Sequence, residues 1–247
     1  MPDLSIVVPV YNEGKHIAEM LKALGPNIAD DTQVIIVYDF DEDDTVPAVH
    51  SIKDSLPYCI ELHKNDLGRG VLNALKSGIA AAKGEYVLVM MADMSDPPEI
   101  IPAMLDKGKK EGLDVVCASR FMKGGTHIGG PWLKSTLSKL AGLSLWCFAG
   151  MPTHDCTNNF RLYKKEYLSA ITIESKGGFE VALELTVKAW KGGWKVGELP
   201  SSWKERSAGK SNFKLWKWLP HYLKWYFHAL FGRCKSHTAG TECAGGK

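Results

Sequence analysis

No stretch of this chain reaches the roughly 18 uncharged apolar residues needed to cross a bilayer, which excludes a membrane-spanning role. The amino terminus, Met1-Pro2-Asp3, lacks the basic and apolar segments of a secretory leader. Six cysteines (Cys59, Cys117, Cys147, Cys156, Cys234, Cys243) are scattered without the paired spacing of a zinc site. Reduced thiols in a cytoplasmic protein are therefore expected. Excess charge is missing too: a formal net charge of +2 argues against a nucleic-acid partner, and no RNA- or DNA-binding motif is present. Internal repeats and interdomain linkers are absent, and no motif speaks to oligomeric state. What remains is a chain of 247 residues, 45% hydrophobic, long enough to bury an enzyme-sized core.

The most informative segment is Tyr86-Val87-Leu88-Val89-Met90-Met91-Ala92-Asp93-Met94-Ser95-Asp96-Pro97-Pro98-Glu99. An all-apolar run of strand length predicts a parallel strand covered on both faces, and open parallel sheets bind ligands beyond the carboxyl ends of their strands. Asp93 falls at that exit. Hard oxygen ligands suit Mg²⁺ or Mn²⁺, which commonly share their coordination with substrate phosphates and water. Asp96, just before a proline, is also placed to cap a helix.

The same pattern recurs along the chain. Leu4 to Val10 reads as a strand, and Ile17, Met20, Leu21 and Leu24 follow at helical spacing. Gln33 to Tyr38 is a second strand, running into the acidic loop Asp39 to Thr45. A helix over 71–82 precedes the strand at 86–91, and Val115 to Ala118 forms another. Alternating strands and helices predict an α/β fold with a mostly parallel, right-handed sheet.

Three loops carry the polar groups a nucleotide needs. Pro9, Tyr11 and Glu13 lie at the first strand exit, suited to base and ribose contacts. Asp39 is placed to accept from an imide or exocyclic amine, although Asp41 to Asp44 also read as a solvated acidic turn. Asn65-Asp66-Leu67-Gly68-Arg69-Gly70 runs into a helix, where backbone amides and Arg69 can meet phosphate.

Taken in order, Val8-Pro9-Val10-Tyr11-Asn12-Glu13, Val37-Tyr38-Asp39, Gly68-Arg69-Gly70, Ala92-Asp93 and Ser119-Arg120-Phe121 resemble the family 2 glycosyltransferases of the GT-A fold. The resemblance extends through Asp155-Cys156-Thr157-Asn158-Asn159-Phe160-Arg161, Phe179-Glu180-Val181-Ala182-Leu183-Glu184 and Arg206-Ser207-Ala208-Gly209-Lys210-Ser211, which look like segments of the polyprenyl-phosphate sugar transferases. It implies a GT-A catalytic domain over 1–212. It further implies that Asp39 contacts the base, that Asp93 binds the ion, and that Arg120, Lys134 and Arg206 surround the acceptor phosphate or the diphosphate, with Asp93, Arg120 and Arg206 as the catalytic set. Where relatives have Asp-x-Asp this chain has Met91 first, so coordination rests on Asp93, helped by Ser95 or Asp96. The acidic loop replaces the relatives' Gly-Ser turn.

The acceptor follows from chemistry. A hydroxyl needs a general base, whereas a phosphate monoester, largely dianionic at neutral pH, attacks unaided if cations hold it. The processive Gln/Arg-x-x-Arg-Trp signature is absent. A polyprenyl phosphate acceptor is therefore expected, with a nucleotide-sugar donor. The alternatives are a glycan hydroxyl, with Asp155 or Glu184 as base, and a non-catalytic membrane-associated sugar-nucleotide binder. Two segments offer an apolar landing surface: Trp132 to Phe148 around Lys134 and Lys139, and 213–232, where aromatic residues are interleaved with Lys214, Lys217, His221, Lys224 and His228. The expectation is a peripheral protein on the cytoplasmic face of a membrane, with C-terminal amphipathic helices and a disordered tail over 233–247.

Overall fold

The structure, a computed structural model, describes residues 2–205 and 215–232. Strands β1 (Leu4–Pro9), β2 (Gln33–Tyr38), β3 (Cys59–Lys64) and β4 (Tyr86–Val89) are mutually parallel and form one half of a seven-stranded sheet of order β3-β2-β1-β4-β7-β5-β8. Between them run α1 (Ile17–Leu24), α2 (Thr45–Ile52) and α3 (Val71–Ala81). The sheet is completed by β5 (Val115–Ser119), β7 (Arg161–Lys164) and β8 (Val196–Pro200), and it matches the α/β fold expected from the pattern.

The apolar runs are continuous because both faces of the sheet are covered. Ile6, Val8, Val34, Ile36 and Leu88 point to one side, where α1 and α4 (Ile101–Glu111) pack through Ile17, Met20, Leu21 and Met104. Val7, Ile35, Val37, Val87 and Val89 point to the other, against α3, α6 (Lys165–Ala170) and α7 (Val181–Lys191). Alternate residues of one strand thus serve two cores. At Gly78 of α3 a Cβ would collide with the Val7 side chain and lie 2.8 Å from Val37 Cγ2, so glycine sets how closely that helix lies on the sheet.

One strand departs from the parallel expectation. β7 runs antiparallel between β4 and β5, with Val89 opposite Arg161 and Cys117 also opposite Arg161. It therefore starts at the carboxyl edge of the parallel strands and carries residues 155–160 to the place where Asp93 emerges.

A parallel two-stranded ribbon, β6 (Thr126–Ile128) with β9 (Ser202–Lys204), stands beside that edge. Next to it α5 (Trp132–Ser144) runs into a wider turn, Leu145–Ala149. The last described helix, α8 (Leu215–Phe231), buries Trp225 and Ala229 against Leu145, Met151, Leu183 and Val187. One face of the helix is thus core. The other stays open, with Leu223, Phe227 and Phe231 exposed by 39%, 51% and 78%. Among the described residues no helix is long and apolar enough to cross a membrane. Cys59, Cys117, Cys147 and Cys156 are free thiols, and burial pushes Cys156 up to about 12, which keeps it protonated. Cys234, Cys243 and the segment 233–247 lie outside the described residues.

Candidate active site

The loops leaving β1, β2, β3 and β4 meet at one end of the sheet, and their hydrogen bonds show how. Asp43 is fully buried; its carboxylate accepts from the Asn12 amide at 3.1 and 3.2 Å and from the Thr45 amide at 2.9 Å. The Gly14 amide donates to Asp44 at 2.8 Å and the Glu13 amide to the Thr45 hydroxyl at 2.9 Å. The acidic loop is thus a clamp holding the first two loops together. Asp41 and Glu42 remain exposed, Asp41 pairing with exposed Lys64 at 2.5 Å.

Asp39 is tied to the third loop, accepting from Asn65 Nδ2 at 2.7 Å and from the Gly70 amide at 2.8 Å. Gly70 has φ of 125°, a conformation a side chain would strain, and directly precedes α3. Each carboxylate oxygen can take a further hydrogen bond, so Asp39 can orient this loop and still face a base. Around it, exposed Tyr11 meets Phe40 edge-on at 5.7 Å, and the Arg69 guanidinium lies 4.8 Å above the Phe40 ring. Planar groups and a cation thus line the mouth. Pro9, the last residue of β1, is buried within the sheet, and Glu13 is half-buried at the approach to α1.

Asp93 leaves the end of β4 half-buried, and its Oδ1 accepts from the Ser95 hydroxyl at 2.6 Å and the Ser95 amide at 3.1 Å. Ser95, 6% exposed, therefore orients Asp93 with the proton of its own hydroxyl. Between them Met94 has φ of 58°, and Asn12 in the first loop has φ of 52°. These are the non-glycine residues of positive φ among those described, and both sit in site loops, where such backbone costs about 1–3 kcal/mol.

Asp96 caps no helix: the turn at Pro98–Ile100 has Pro97 at its N-cap without a side-chain bond. Asp96 lies beneath Asp93, 4% exposed, accepting from Asn158 Nδ2 at 3.3 Å. Burial pushes its carboxyl up to about 7, with Asp93 adding to the rise and Arg120 opposing it.

Arg120 is spent on Asp155. Its Nε donates to Asp155 Oδ2 at 2.6 Å, its Nη2 to Oδ1 at 2.9 Å and to Thr157 Oγ1 at 2.9 Å. Asp155 is fully buried. Burial alone would raise its carboxyl, but Arg120, by charge and hydrogen bonds, and Arg161 hold it below the usual carboxylate range. This arrangement revises two readings. Arg120 is already neutralised, and Asp155 has no lone pair open to an acceptor hydroxyl. Glu184 is equally committed, fully buried and accepting from the Glu174 and Ser175 amides at 2.6 and 2.7 Å and from Lys188 at 2.7 Å.

Lys134 is half-buried in the first turn of α5. Arg206 and the segment Arg206 to Ser211 lie outside the described residues, as does most of the approach to α8. The residues just before Arg206 reach the site: the Lys204 amide donates to the Ser95 carbonyl at 3.1 Å, and Glu205 accepts from the Gly130 amide at 2.8 Å. In the same corner His127 stacks on Trp203 at 4.5 Å and bonds Ser135 at 2.7 Å. Sequence reasoning gave no role to Asn158, quoted only within the segment 155–161, and did not single out the His127–Trp203 pair, whose members are brought together by the pairing of β6 with β9.

A profile of the family described as glycosyl transferase family 2 matches residues 5–172. Among curated proteins, the dolichol-phosphate mannosyltransferase of Pyrococcus furiosus is 26% identical over 233 residues, covering 90% of this chain. The chain spans 64% of that protein's length. The polyprenol monophosphomannose synthase of Mycolicibacterium smegmatis is 29% identical over 214 residues, covering 83% of this chain and 79% of its own. Among solved structures, glucosyl-3-phosphoglycerate synthase from Mycobacterium tuberculosis superposes with a TM-score of 0.67 at 17% identity, covering 97% of this chain and 82% of that one. It was solved with Mn²⁺, UDP and glucosyl-3-phosphoglycerate, and in another crystal with Mg²⁺ and UDP. The likeness shows a shared GT-A architecture.

Proposed function

The chain belongs to glycosyl transferase family 2, and from that premise we propose that it transfers a sugar from a GDP- or UDP-linked donor to a polyprenyl phosphate at a membrane surface. One observation carries the choice of acceptor. Both carboxylates that the sequence offered as general bases, Asp155 and Glu184, are fully buried and saturated with donors, so neither can activate a sugar hydroxyl. A phosphate dianion needs no such base. The names of the two curated relatives point the same way.

In this reading Tyr11, Phe40, Arg69 and Asp39 receive the nucleoside. The acceptor phosphate oxygen attacks the anomeric carbon as the bond to the nucleoside diphosphate breaks, with inversion and no proton transfer. The residues fit a divalent ion that arrives with its substrate. Among those described there is no cluster of three His, Cys, Asp or Glu, and a single carboxylate, that of Asp93 at the end of β4, suits Mg²⁺ or Mn²⁺ completed by diphosphate and water. When bound, such an ion stabilises the departing diphosphate. Ser95 fixes Asp93, and Arg120 positions the 155–158 loop, leaving Lys134 and Arg206 to hold the acceptor phosphate. The exposed faces of α5, of the turn that follows it and of α8 would rest on the cytoplasmic leaflet, Trp132 and Phe148 being 77% and 80% exposed.

The test is a panel of GDP- and UDP-sugars with a short polyprenyl phosphate and Mn²⁺, scored by the mass of the organic-phase product. One added hexose on the lipid phosphate is expected. Transfer only to a water-soluble glycan, or turnover of no donor, overturns the reading.

A further inference from the structure

A groove of about 860 Å³ opens between α7, α8 and residues 170–174. It lies towards the end of α7 away from the site. That helix begins next to Gly178, which touches Val71 at the start of α3, and it runs roughly 16 Å to the groove. None of the residues assigned to donor, ion or acceptor lines it.

Its chemistry is two-sided. One part is basic: the Lys191 ammonium sits 4.4 Å above the Trp190 ring, the Lys224 ammonium 4.6 Å above Trp225, and Lys188 also lines the groove, 5.0 Å from the Trp225 ring. Lys188 is neutralised by buried Glu184 at 2.7 Å. The lining contributes one exposed carboxylate, Glu174, which pairs with Lys188 at 2.9 Å and reaches Lys224 at 3.6 Å, and among the described residues no carboxylate pairs with Lys191. The other part is apolar: Phe227 and Phe231 form the rim, stacked at 6.3 Å, and continue the outward stripe that begins at Leu223.

We propose that this groove seats the headgroup of an anionic glycerophospholipid, with Lys191 and Lys224 on the phosphate and the acyl chains along Phe227 and Phe231. A free phosphate would leave both phenylalanines in water, and an apolar peptide would leave the Lys191 ammonium unmatched. Only a ligand with an anionic head and an apolar body satisfies both parts. The inference deepens the membrane association in the proposed function and is independent of the acceptor's identity.

The experiment is sedimentation of the full-length protein with phosphatidylcholine vesicles, with and without phosphatidylglycerol and free of any polyprenyl phosphate. The double variants Lys191→Glu/Lys224→Glu and Lys191→Gln/Lys224→Gln are compared with the parent, and circular dichroism checks their fold. The parent is expected to prefer the anionic vesicles. Both variants should partition into them about tenfold less well or worse, because each basic residue near an anionic surface contributes to binding. Binding to neutral vesicles should change little, and Phe231→Ala should weaken binding to both. Equal partition of the parent into both vesicles overturns the proposal, as does unchanged binding by the variants. Loss of a dimer in light scattering with vesicle binding intact also overturns it, since the occupant would then be a second copy of this chain. Failure of sugar transfer to polyprenyl phosphate in detergent would bear on the proposed function and leave this result standing.

Discussion

Replacing Asp155 by asparagine should destabilise the protein severely while leaving donor binding measurable. The carboxylate receives three donors from Arg120, at 2.6, 2.9 and 3.1 Å, and the Thr157 and Asn158 amides at 3.2 Å each. Asparagine keeps the shape but removes the charge, leaving a guanidinium whose side chain is only 10% exposed without its counter-ion. Breaking one side of a buried pair costs about 3–5 kcal/mol. For a domain of this size that is about 6–20 °C in melting temperature, at roughly 2–4 °C per kcal/mol. Urea unfolding at neutral pH measures it directly.

Acid titration supplies a second reading. The Asp155 carboxyl is held below its usual range in the folded state, so its stabilisation is complete above the unfolded value near 4 and is lost as pH falls through the lower folded value. The parent should therefore lose stability below about pH 4, and Asp155→Asn should lack that component. The pair can also be removed together: Arg120→Met with Asp155→Leu should cost less than the sum of the single changes. An Asp155→Asn protein within about 1 kcal/mol of the parent, binding inorganic phosphate more tightly, would refute the reasoning, since Arg120 would then be a free phosphate ligand.

Asp93→Asn should keep the fold and lose about a hundredfold or more in Mn²⁺-dependent turnover, while Asp96→Asn does less; equal rates for Asp93→Asn and parent at limiting Mn²⁺ would exclude the metal role. Asp39→Ala should weaken donor binding by calorimetry and also raise hydrogen exchange over residues 65–70, because the Asn65 and Gly70 contacts go with it. Arg206→Ala should spare donor affinity and impair reaction with lipid phosphate. Truncation after Asn212 should yield aggregated protein in size-exclusion chromatography, because it strips the buried Trp225 from α7, a loss of about 3–5 kcal/mol for a tryptophan truncated in a core. Gly142→Ala should lower the melting temperature, since its Cβ would collide with the His154 carbonyl and push α5 off the loop that carries Asp155, a strain of about 1–3 kcal/mol.

Much of the nucleotide half was legible from residue order. β1, β2 and β4 announce themselves as unbroken apolar runs because helices cover both faces, and a carboxylate that ends such a run, as Asp93 does, must emerge at the ligand-binding edge. Arg161-Leu162-Tyr163-Lys164 carried no such signal. It is a strand only because β4 and β5 leave a gap that an antiparallel segment fills, and Arg161 is buried only because the Asp155 and Ala182 carbonyls accept from it. The partners that redefine the site are likewise remote in the chain: Arg120 and Asp155 stand 35 residues apart, and Asp96 and Asn158 stand 62 apart.

The same division explains the acidic loop and the last helix. Composition made Asp41 to Asp44 look like one solvated turn, yet Asp43 is interior because the Asn12 loop presents its amide to it. Aromatic and basic residues in alternation mark α8 as amphipathic, but they do not say which aromatic meets protein and which meets solvent. Trp225 faces α7 while Phe227 and Phe231 face outward. Local sequence determined where strands, helices and charged exits fall, because periodicity and capping act over a few residues. Which carboxylate is open to a ligand and which is consumed by an arginine was decided by the sheet order, because the desolvation that separates those roles exists only once distant segments have closed around the group.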